Sequence, residues 1–182
     1  MRPRRWLRQI AVLAALFLLM FVIAELRAPP ERVTAEGAAV QVIDGDSLRI
    51  GERTVRLQGI DAVEFHQPCR TPEGREWRCG VEARKALAAL TGKGGLACEP
   101  QATDNFGRAV SVCSVTGVED IAAALVAQGW AVSGDGEREG GYIAEQLAAR
   151  EARRGIWRGS FDRPARWRAA HPRSAPSSAP AT

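Results

Sequence analysis

Residues 42–64 read VIDGDSLRIGERTVRLQGIDAVE, and the fold and the site predicted for the chain both depend on them. Alternating apolar residues predict strands over 47–50 and 54–60, joined by the two-residue turn Gly51-Glu52. The dipeptide Asp44-Gly45 before them is a tight-turn or bulge signal. Four acids and one arginine crowd the ends of these strands, which is more charge than strands that only pack a core require. They are Asp44, Asp46, Arg56, Asp61 and Glu64.

This charged cluster predicts a site for a hard cation with an arginine beside it. Neighbouring carboxylates supply the oxygen ligands that magnesium and calcium prefer, and such an ion neutralises the charge of a phosphodiester and orients a water molecule. A further carboxylate can accept the proton of that water, and arginine donates paired hydrogen bonds to phosphate oxygens. Sequence spacing alone leaves open whether these groups meet. Asp46, Arg56, Asp61, Glu64 and, from a later hairpin, Arg108 have the required chemistry, whereas Asp44 is interpreted as a turn-stabilising acid.

The elements around the cluster predict a small α+β domain. A strand-rich first half followed by a helix, a hairpin and two more helices indicates a barrel of about five strands capped by three helices. Strands are predicted over 38–43, 47–50, 54–60, 96–100 and 109–115, and helices over 81–90, 119–128 and 142–154.

The N-terminal segment, residues 1–27, is predicted to be a signal peptide or a signal anchor. Four arginines precede residues 10–24, which carry no charge. This apolar run is shorter than the roughly 20 residues that an ordinary membrane helix needs. The basic flank should remain in the cytoplasm, which sends the rest of the chain outward, to the periplasm or the medium. Cleavage and retained anchoring to the inner membrane through residues 10–24 both stay open, since no clear cleavage site follows Ala24.

The formal net charge of +4 comes from this segment, so it is no evidence of nucleic-acid binding. Residues 28–149 contain 12 basic and 18 acidic residues, whereas residues 150–182 contain eight arginines against Glu151 and Asp162. A basic C-terminal segment beside an acidic body could guide a polyanion to the cation site. The alternative is a solvated helix face and tail.

The four cysteines are predicted to form two disulfides, because an even count behind an export signal favours bridges. Cys98 and Cys113 lie symmetrically about the turn at residues 104–107 and would face each other in a hairpin. That pairing leaves Cys69 with Cys79. Zinc is disfavoured because no CxxC pair exists and the only histidines are His66 and His171.

Three ordered motifs resemble the thermonuclease (micrococcal-nuclease-like) family: residues 42–47 (VIDGDS), 55–64 (VRLQGIDAVE) and 104–108 (DNFGR). The resemblance covers roughly residues 38–158. It implies a five-stranded OB-type β-barrel with three helices, and hydrolysis of phosphodiester bonds in DNA and RNA with a calcium ion.

The resemblance also implies a role for each site residue. Asp46 and Asp61 would bind calcium together with the backbone carbonyl of Ala62, and Glu64 would be the general base that acts on water. Arg56 and Arg108 would bind the scissile phosphate. Attack would break the bond to the 5′ oxygen and leave 3′-phosphate ends.

Four positions depart from the family pattern without removing an implied role. Val63 stands where proline is usual, which predicts a less rigid loop around Glu64. Phe106 replaces a tyrosine but keeps a ring that could stack on a base. Ser47 and Ala62 stand where threonine occurs.

The chain is thus predicted to divide into a signal segment (1–27), a linker (28–37), a thermonuclease-like domain (38–158) and a disordered tail that is basic and then rich in Pro, Ser and Ala (159–182). The leading hypothesis is an exported, monomeric, calcium-dependent nuclease that acts on DNA and RNA and has no protein partner. The alternatives are an OB-type module that binds nucleic acid without cutting it, and an anchored envelope protein that contacts another protein.

Overall fold

The computed structural model describes residues 3–26, 33–35, 40–134 and 141–172 of the chain. It divides into two compact units, Met1–Glu31 and Arg32–Thr182. The first unit contains helix α1, Pro3–Leu26. In the described part of the chain, no helix has the combination of length and apolar character needed to cross a membrane.

The second unit is built on a six-stranded sheet that is nearly closed into a barrel. The order of its strands is β1-β8-β9-β4-β3-β2, and every pairing is antiparallel except that of β4 with β9. The strands are β1 (Val33–Ala35), β2 (Val40–Val42), β3 (Ser47–Ile50), β4 (Arg53–Leu57), β8 (Leu96–Thr103) and β9 (Ala109–Ser114). Two strand pairs complete the unit: β5 (Ile60–Ala62) with β10 (Ala131–Ser133), and β6 (Cys69–Arg70) with β7 (Glu76–Trp77).

Four helices are described in this unit, one before the β8–β9 hairpin and three after it. They are α2 (Cys79–Thr91), α3 (Ile121–Ala127), α4 (Ile143–Glu151) and α5 (Pro164–Ala170), with a 3₁₀ turn at Gly155–Arg158. Helix α3 begins where the carboxylate of Asp120 accepts hydrogen bonds from the amides of Ala122 and Ala123, a standard N-cap. The predicted α+β fold with an OB-type barrel and three helices is confirmed, and α1 and α5 are additional helices.

The core follows the alternation read from the sequence. Leu48, Val55 and Leu57 are fully buried between the sheet and the helices, which contribute Leu87 from α2 and Leu125 from α3. Side chains alternate between the two faces of a strand, so the residues between these apolar positions point the other way. Arg56 is therefore directed away from the core.

A kink at Gly59 breaks the strand that the sequence predicted over 54–60. Gly59 has a φ of +75°, a conformation that suits glycine because it has no Cβ. Strand β4 ends before this turn, and β5 begins after it and pairs with β10 instead of continuing the sheet. The turn brings Asp61 back toward Arg56 on the preceding strand.

The linker and tail are more ordered than predicted. Within the linker, Val33–Ala35 forms β1 and pairs with β8. In the tail, Ser160 forms two backbone hydrogen bonds with Arg70, and the buried Pro164 begins α5. The prediction of disorder is therefore wrong for residues 159–172. The Pro-, Ser- and Ala-rich composition that suggested it is concentrated after residue 172. Residues 173–182, and linker residues 28–32 and 36–37, lie outside the described residues.

Both predicted disulfides are present. Cys98 and Cys113 are directly opposite in the register of β8 and β9, as the symmetry of the hairpin indicated. Cys69 and Cys79 join the strand β6 to the first residue of α2, which closes the loop that follows Glu64.

Removal of the Cys98–Cys113 bridge should weaken the barrel. A Cys98→Ser/Cys113→Ser variant frees a loop with a sequence separation of 15 residues in the unfolded chain. We expect the free energy of unfolding to fall by about 3 kcal/mol. Urea denaturation of both proteins, with thiol titration to verify the bridges, measures this change. An unchanged midpoint would show that the bridge does not support the fold.

Candidate active site

The carboxylate of Asp46 is the most buried acid of the predicted cluster, with 4% of the residue exposed. The backbone amide of Asp46 donates a hydrogen bond of 3.1 Å to Oδ1 of Asp44, so Asp44 forms the turn-stabilising contact predicted for it. Gly45 allows this turn to lie close to β5 and α2. A Cβ at Gly45 would be only 2.7 Å from the Cβ of Ala62 and 3.0 Å from that of Ala83.

Both oxygens of Asp46 accept hydrogen bonds. Oδ1 accepts from Oγ of Ser47 at 2.9 Å and from Nη1 of Arg56 at 3.0 Å, and Oδ2 accepts from the amide of Ala62 at 2.9 Å. Burial raises the pKa of Asp46 to about 7, while Arg56 and the Ala62 amide act against this rise. Burial of the charged carboxylate thus costs free energy, and additional positive charge nearby would reduce that cost.

Arg56 connects two of the predicted metal ligands. Its Nη1 atom pairs with Asp46, and its Nη2 atom pairs with Oδ1 of Asp61 at 3.1 Å. The Arg56 side chain is 21% exposed, so the guanidinium lies between the buried carboxylate and solvent. Arg56 is held on both sides by acids, one from the turn before β3 and one from β5.

Arg108 reaches the same cluster from the β8–β9 hairpin. Asp104 holds it with an Nε–Oδ2 contact of 2.7 Å and accepts its backbone amide at 2.9 Å. Nη1 of Arg108 then donates to Oγ of Ser47 at 3.4 Å, and Ser47 donates to Asp46. Phe106 lies beside the Arg108 guanidinium and is 84% exposed.

The loop that carries Glu64 is held by Gln67, which the sequence analysis did not single out. The buried Gln67 side chain accepts the Glu64 amide at 3.1 Å and donates to the carbonyl of Asp162 at 2.7 Å. Val63 is fully buried, and Gly80 at the start of α2 approaches the Glu64 carbonyl so closely that a Cβ would overlap it. These contacts restrain the loop in the absence of the usual proline.

Arg168 of α5 is the second site residue that sequence reasoning missed. Nη1 and Nη2 of Arg168 contact Oδ1 and Oδ2 of Asp61 at 2.8 Å and 3.0 Å, and Nη1 also contacts Oε1 of Glu64 at 2.9 Å. The excess of arginine in residues 150–182 was a signal that this segment faces an acidic surface. It did not indicate which arginine, because the prediction placed the segment in a disordered tail.

The structure brings the predicted site residues together in one place. Asp46, Arg56 and Asp61 are in direct contact, Glu64 joins them through Arg168, and Arg108 joins them through Ser47. Ala62 contributes its amide to Asp46, while the ligand role of its carbonyl stays a prediction.

The acids around Arg168 are suited to a divalent cation. Oδ1 of Asp61 and Oε1 of Glu64 both lie within 3 Å of a single nitrogen atom, Nη1 of Arg168, so one small cation placed there would touch both. Such oxygens are the ligands that calcium and magnesium prefer. The described residues include no group of three or more His, Cys, Asp or Glu side chains arranged to hold a metal ion. The Arg168 guanidinium occupies the position between Asp61 and Glu64 that a cation would take.

A cleft of about 240 Å³ opens beside Arg56. It is lined by Val110, by Gly59, Gly134 and Gly141, and by Gln58, whose buried Oε1 atom has no hydrogen-bond partner in the described structure. A flat apolar group attached to an anion at Arg56 would find both packing surface and a polar atom here.

Two comparisons relate this chain to known proteins. Residues 54–159 match the family model described as "Staphylococcal nuclease homologue". The chain is also similar to the succinoglycan biosynthesis protein ExoI of Rhizobium meliloti (strain 1021), at 36% identity over 118 residues. That alignment covers 64% of this chain and 62% of the relative, so the chain spans less than two thirds of the relative's length. Asp46 and Arg168 both lie outside the residues that match the family model.

Truncation of Gln67 should destabilise the loop that carries Glu64. Gln67→Ala leaves the Glu64 amide and the Asp162 carbonyl without their side-chain partner. We expect the free energy of unfolding to fall by about 2 kcal/mol or more, since an unsatisfied buried polar group costs about 1–3 kcal/mol. Urea denaturation measures the loss. The matched control is Gln101→Ala, which changes an exposed glutamine on β8. Equal losses in the two variants would contradict the assignment.

Proposed function

The chain belongs to the staphylococcal nuclease homologue family, and we propose that it is a calcium-dependent nuclease that hydrolyses phosphodiester bonds of DNA and RNA. The observation that carries this proposal is the approach of two arginines to one buried acid. Arg56 contacts Asp46 directly, and Arg108 contacts it through the hydroxyl of Ser47. Two guanidinium groups beside several carboxylates suit the binding of a singly charged phosphodiester and its attack by water.

Arg56 and Arg108 would bind the non-bridging oxygens of the scissile phosphate. Both guanidiniums are already oriented by acids, Arg56 by Asp46 and Asp61 and Arg108 by Asp104. An arginine fixed before the substrate arrives stabilises the charge that develops on the phosphate without a cost of reorientation during the reaction. The cleft beside Arg56 would accept the adjoining nucleoside.

Glu64 would act as the general base. It takes a proton from the water whose oxygen attacks phosphorus, and the bond from phosphorus to the 5′ oxygen breaks. The released 5′ oxygen takes a proton from solvent, which leaves a 3′-phosphate and a 5′-hydroxyl. Gln67 supports this role because it accepts the backbone amide of Glu64 and so restrains the loop that carries the carboxylate.

Asp46, Asp61 and the carbonyl of Ala62 would hold the calcium ion. When bound, the ion supplies positive charge to the phosphate and orients the attacking water. Support comes from the type of the acids and from the oxygens of Asp61 and Glu64 that share one cationic neighbour. The burial of Asp46 also supports a calcium site, because a buried carboxylate charge needs a positive charge nearby.

A non-catalytic module is the second candidate, and one contact favours it. Arg168 occupies both oxygens of Asp61 and one oxygen of Glu64, so the acids needed for hydrolysis are engaged by the protein itself. The printed name of the relative, a succinoglycan biosynthesis protein, also does not mention a nuclease. This candidate would bind nucleic acid on its OB-type barrel, or a protein of the cell envelope, without turnover.

The nuclease would work outside the cytoplasm. Two disulfides fit an oxidising compartment, and the basic, apolar N-terminal sequence fits export. Cell fractionation of the producing bacterium should find the protein in the periplasm, in the medium or on the inner membrane, with oxidised cysteines. N-terminal sequencing of that material separates a cleaved signal peptide from a retained anchor at residues 10–24. Recovery of the reduced chain from the cytoplasm alone would refute export.

The nuclease proposal predicts cation-dependent hydrolysis that requires Glu64. We expect the purified protein to release acid-soluble nucleotides from DNA and RNA in calcium, and to stop when a chelator is added. Glu64→Gln should lower the rate by about 10²- to 10⁴-fold, the usual contribution of a general base.

The matched control is Glu52→Gln, which makes the same change at an exposed turn between β3 and β4 and should leave the rate unaltered. Binding of nucleic acid without any hydrolysis in calcium would favour the non-catalytic module. A rate that survives Glu64→Gln would remove Glu64 from its role.

A further inference from the structure

Arg168 is held by the site more specifically than a surface arginine needs to be. Its two terminal nitrogens form a paired contact with both oxygens of Asp61, and one of them also reaches Glu64. Paired guanidinium–carboxylate contacts are among the strongest polar interactions between side chains. The Arg168 side chain is nevertheless 40% exposed. Solvent therefore reaches this contact, and water can hydrate the guanidinium when the contact breaks.

The segment before α5 is anchored independently of Arg168. Ser160 forms two backbone hydrogen bonds with Arg70, the Asp162 carbonyl accepts from Gln67, and Pro164 is buried. Beyond Pro164, most residues of the helix are exposed. The Arg168 end of α5 can therefore move without releasing the chain from the domain.

Charge balance explains why Arg168 is drawn to this place. Three acids, Asp46, Asp61 and Glu64, converge here, and Arg56 alone would leave them with excess negative charge. Arg168 supplies a second positive charge. A divalent cation would satisfy the same need, and as a ligand of the ion Asp61 would have to give up the oxygens that Arg168 contacts. The guanidinium and the cation cannot both occupy them.

We infer that Arg168 is an internal counter-ion that a divalent cation must displace, so Arg168 sets the affinity of this site for the cation. This inference rests on the proposed function for the existence of the cation site. With Arg168 docked, the acids are stabilised in the absence of the ion. With the ion bound, Arg168 leaves and Glu64 becomes available to water. Arg168 lies beyond residues 54–159, so a match to the family model alone does not predict it.

The test measures calcium binding rather than catalysis. Isothermal titration of calcium into the purified protein and into Arg168→Gln should show tighter binding to the variant, by about fivefold. The apparent calcium affinity is the intrinsic affinity multiplied by the fraction of protein in which Arg168 has left Asp61. Docking of a partly exposed arginine lowers that fraction by about this factor.

Arg166→Gln is the matched control. It removes the same charge from the same helix, but Arg166 is exposed and forms no contact described at the site. Its calcium affinity should stay within about twofold of wild type, since exposed charges are strongly screened. Arg168→Lys should give an intermediate affinity, because lysine keeps the charge and loses the paired geometry. Equal affinities of the wild type and Arg168→Gln, or equal gains in Arg168→Gln and Arg166→Gln, would overturn the inference.

Hydrogen exchange gives a second, structural readout on the same samples. Calcium should speed exchange of the amides at 166–170 in the wild type, because the helix loses its contact with Asp61. In Arg168→Gln, exchange there should already be fast and should not respond to calcium. Calcium that slows exchange in α5 of the wild type would overturn the inference.

Parallel nuclease assays separate this inference from the proposed function. Hydrolysis in calcium with no difference in affinity between wild type and Arg168→Gln rejects the displacement and leaves the nuclease standing. Tighter calcium binding in Arg168→Gln without hydrolysis by any protein supports the displacement and rejects the nuclease. Absence of calcium binding in every variant overturns the displacement, whatever the nuclease result.

Discussion

The buried carboxylate of Asp46 is the group around which the site is arranged. A carboxylate that leaves water must be satisfied by protein hydrogen bonds or by opposite charge. Here the partners come from three directions: the neighbouring hydroxyl of Ser47, the guanidinium of Arg56 on β4, and the amide of Ala62 on β5. Each partner has its position determined by the barrel, and Arg56 and Ser47 in turn orient the groups beyond them.

The site combines residues on strands with residues in the turns beside them. Arg56 reaches Asp61 because the turn at Gly59 redirects β5, and Arg108 reaches Ser47 because Asp104 braces the hairpin that carries it. Arg56 and Asp61 lie on strands, where side chains have few alternative positions. Asp46 and Arg108 lie in turns that the side chains of Asp44 and Asp104 hold through backbone hydrogen bonds. The charged residues can be closely packed because strand pairing or a turn hydrogen bond fixes each backbone.

Glu64 is positioned differently, by contacts that connect it to the C-terminal segment. Gln67 bonds both to the Glu64 amide and to the Asp162 carbonyl, and Arg168 bonds to the Glu64 carboxylate. The backbone and the side chain of the proposed base thus depend on residues about a hundred positions later in the sequence. The C-terminal segment up to residue 172 consequently belongs to the site as well as to the fold.

The local features of this protein could be predicted from its sequence. The alternation of apolar residues predicted the strands and the face on which Arg56 lies, and the symmetry of the hairpin predicted the Cys98–Cys113 bridge. These features follow from the geometry of one strand or one hairpin. The contacts of Gln67 with Asp162 and of Arg168 with Asp61, across 95 and 107 residues of sequence, are visible only in the folded structure. Such contacts depend on how the C-terminal segment packs against the barrel, and neither spacing nor charge count contains that information.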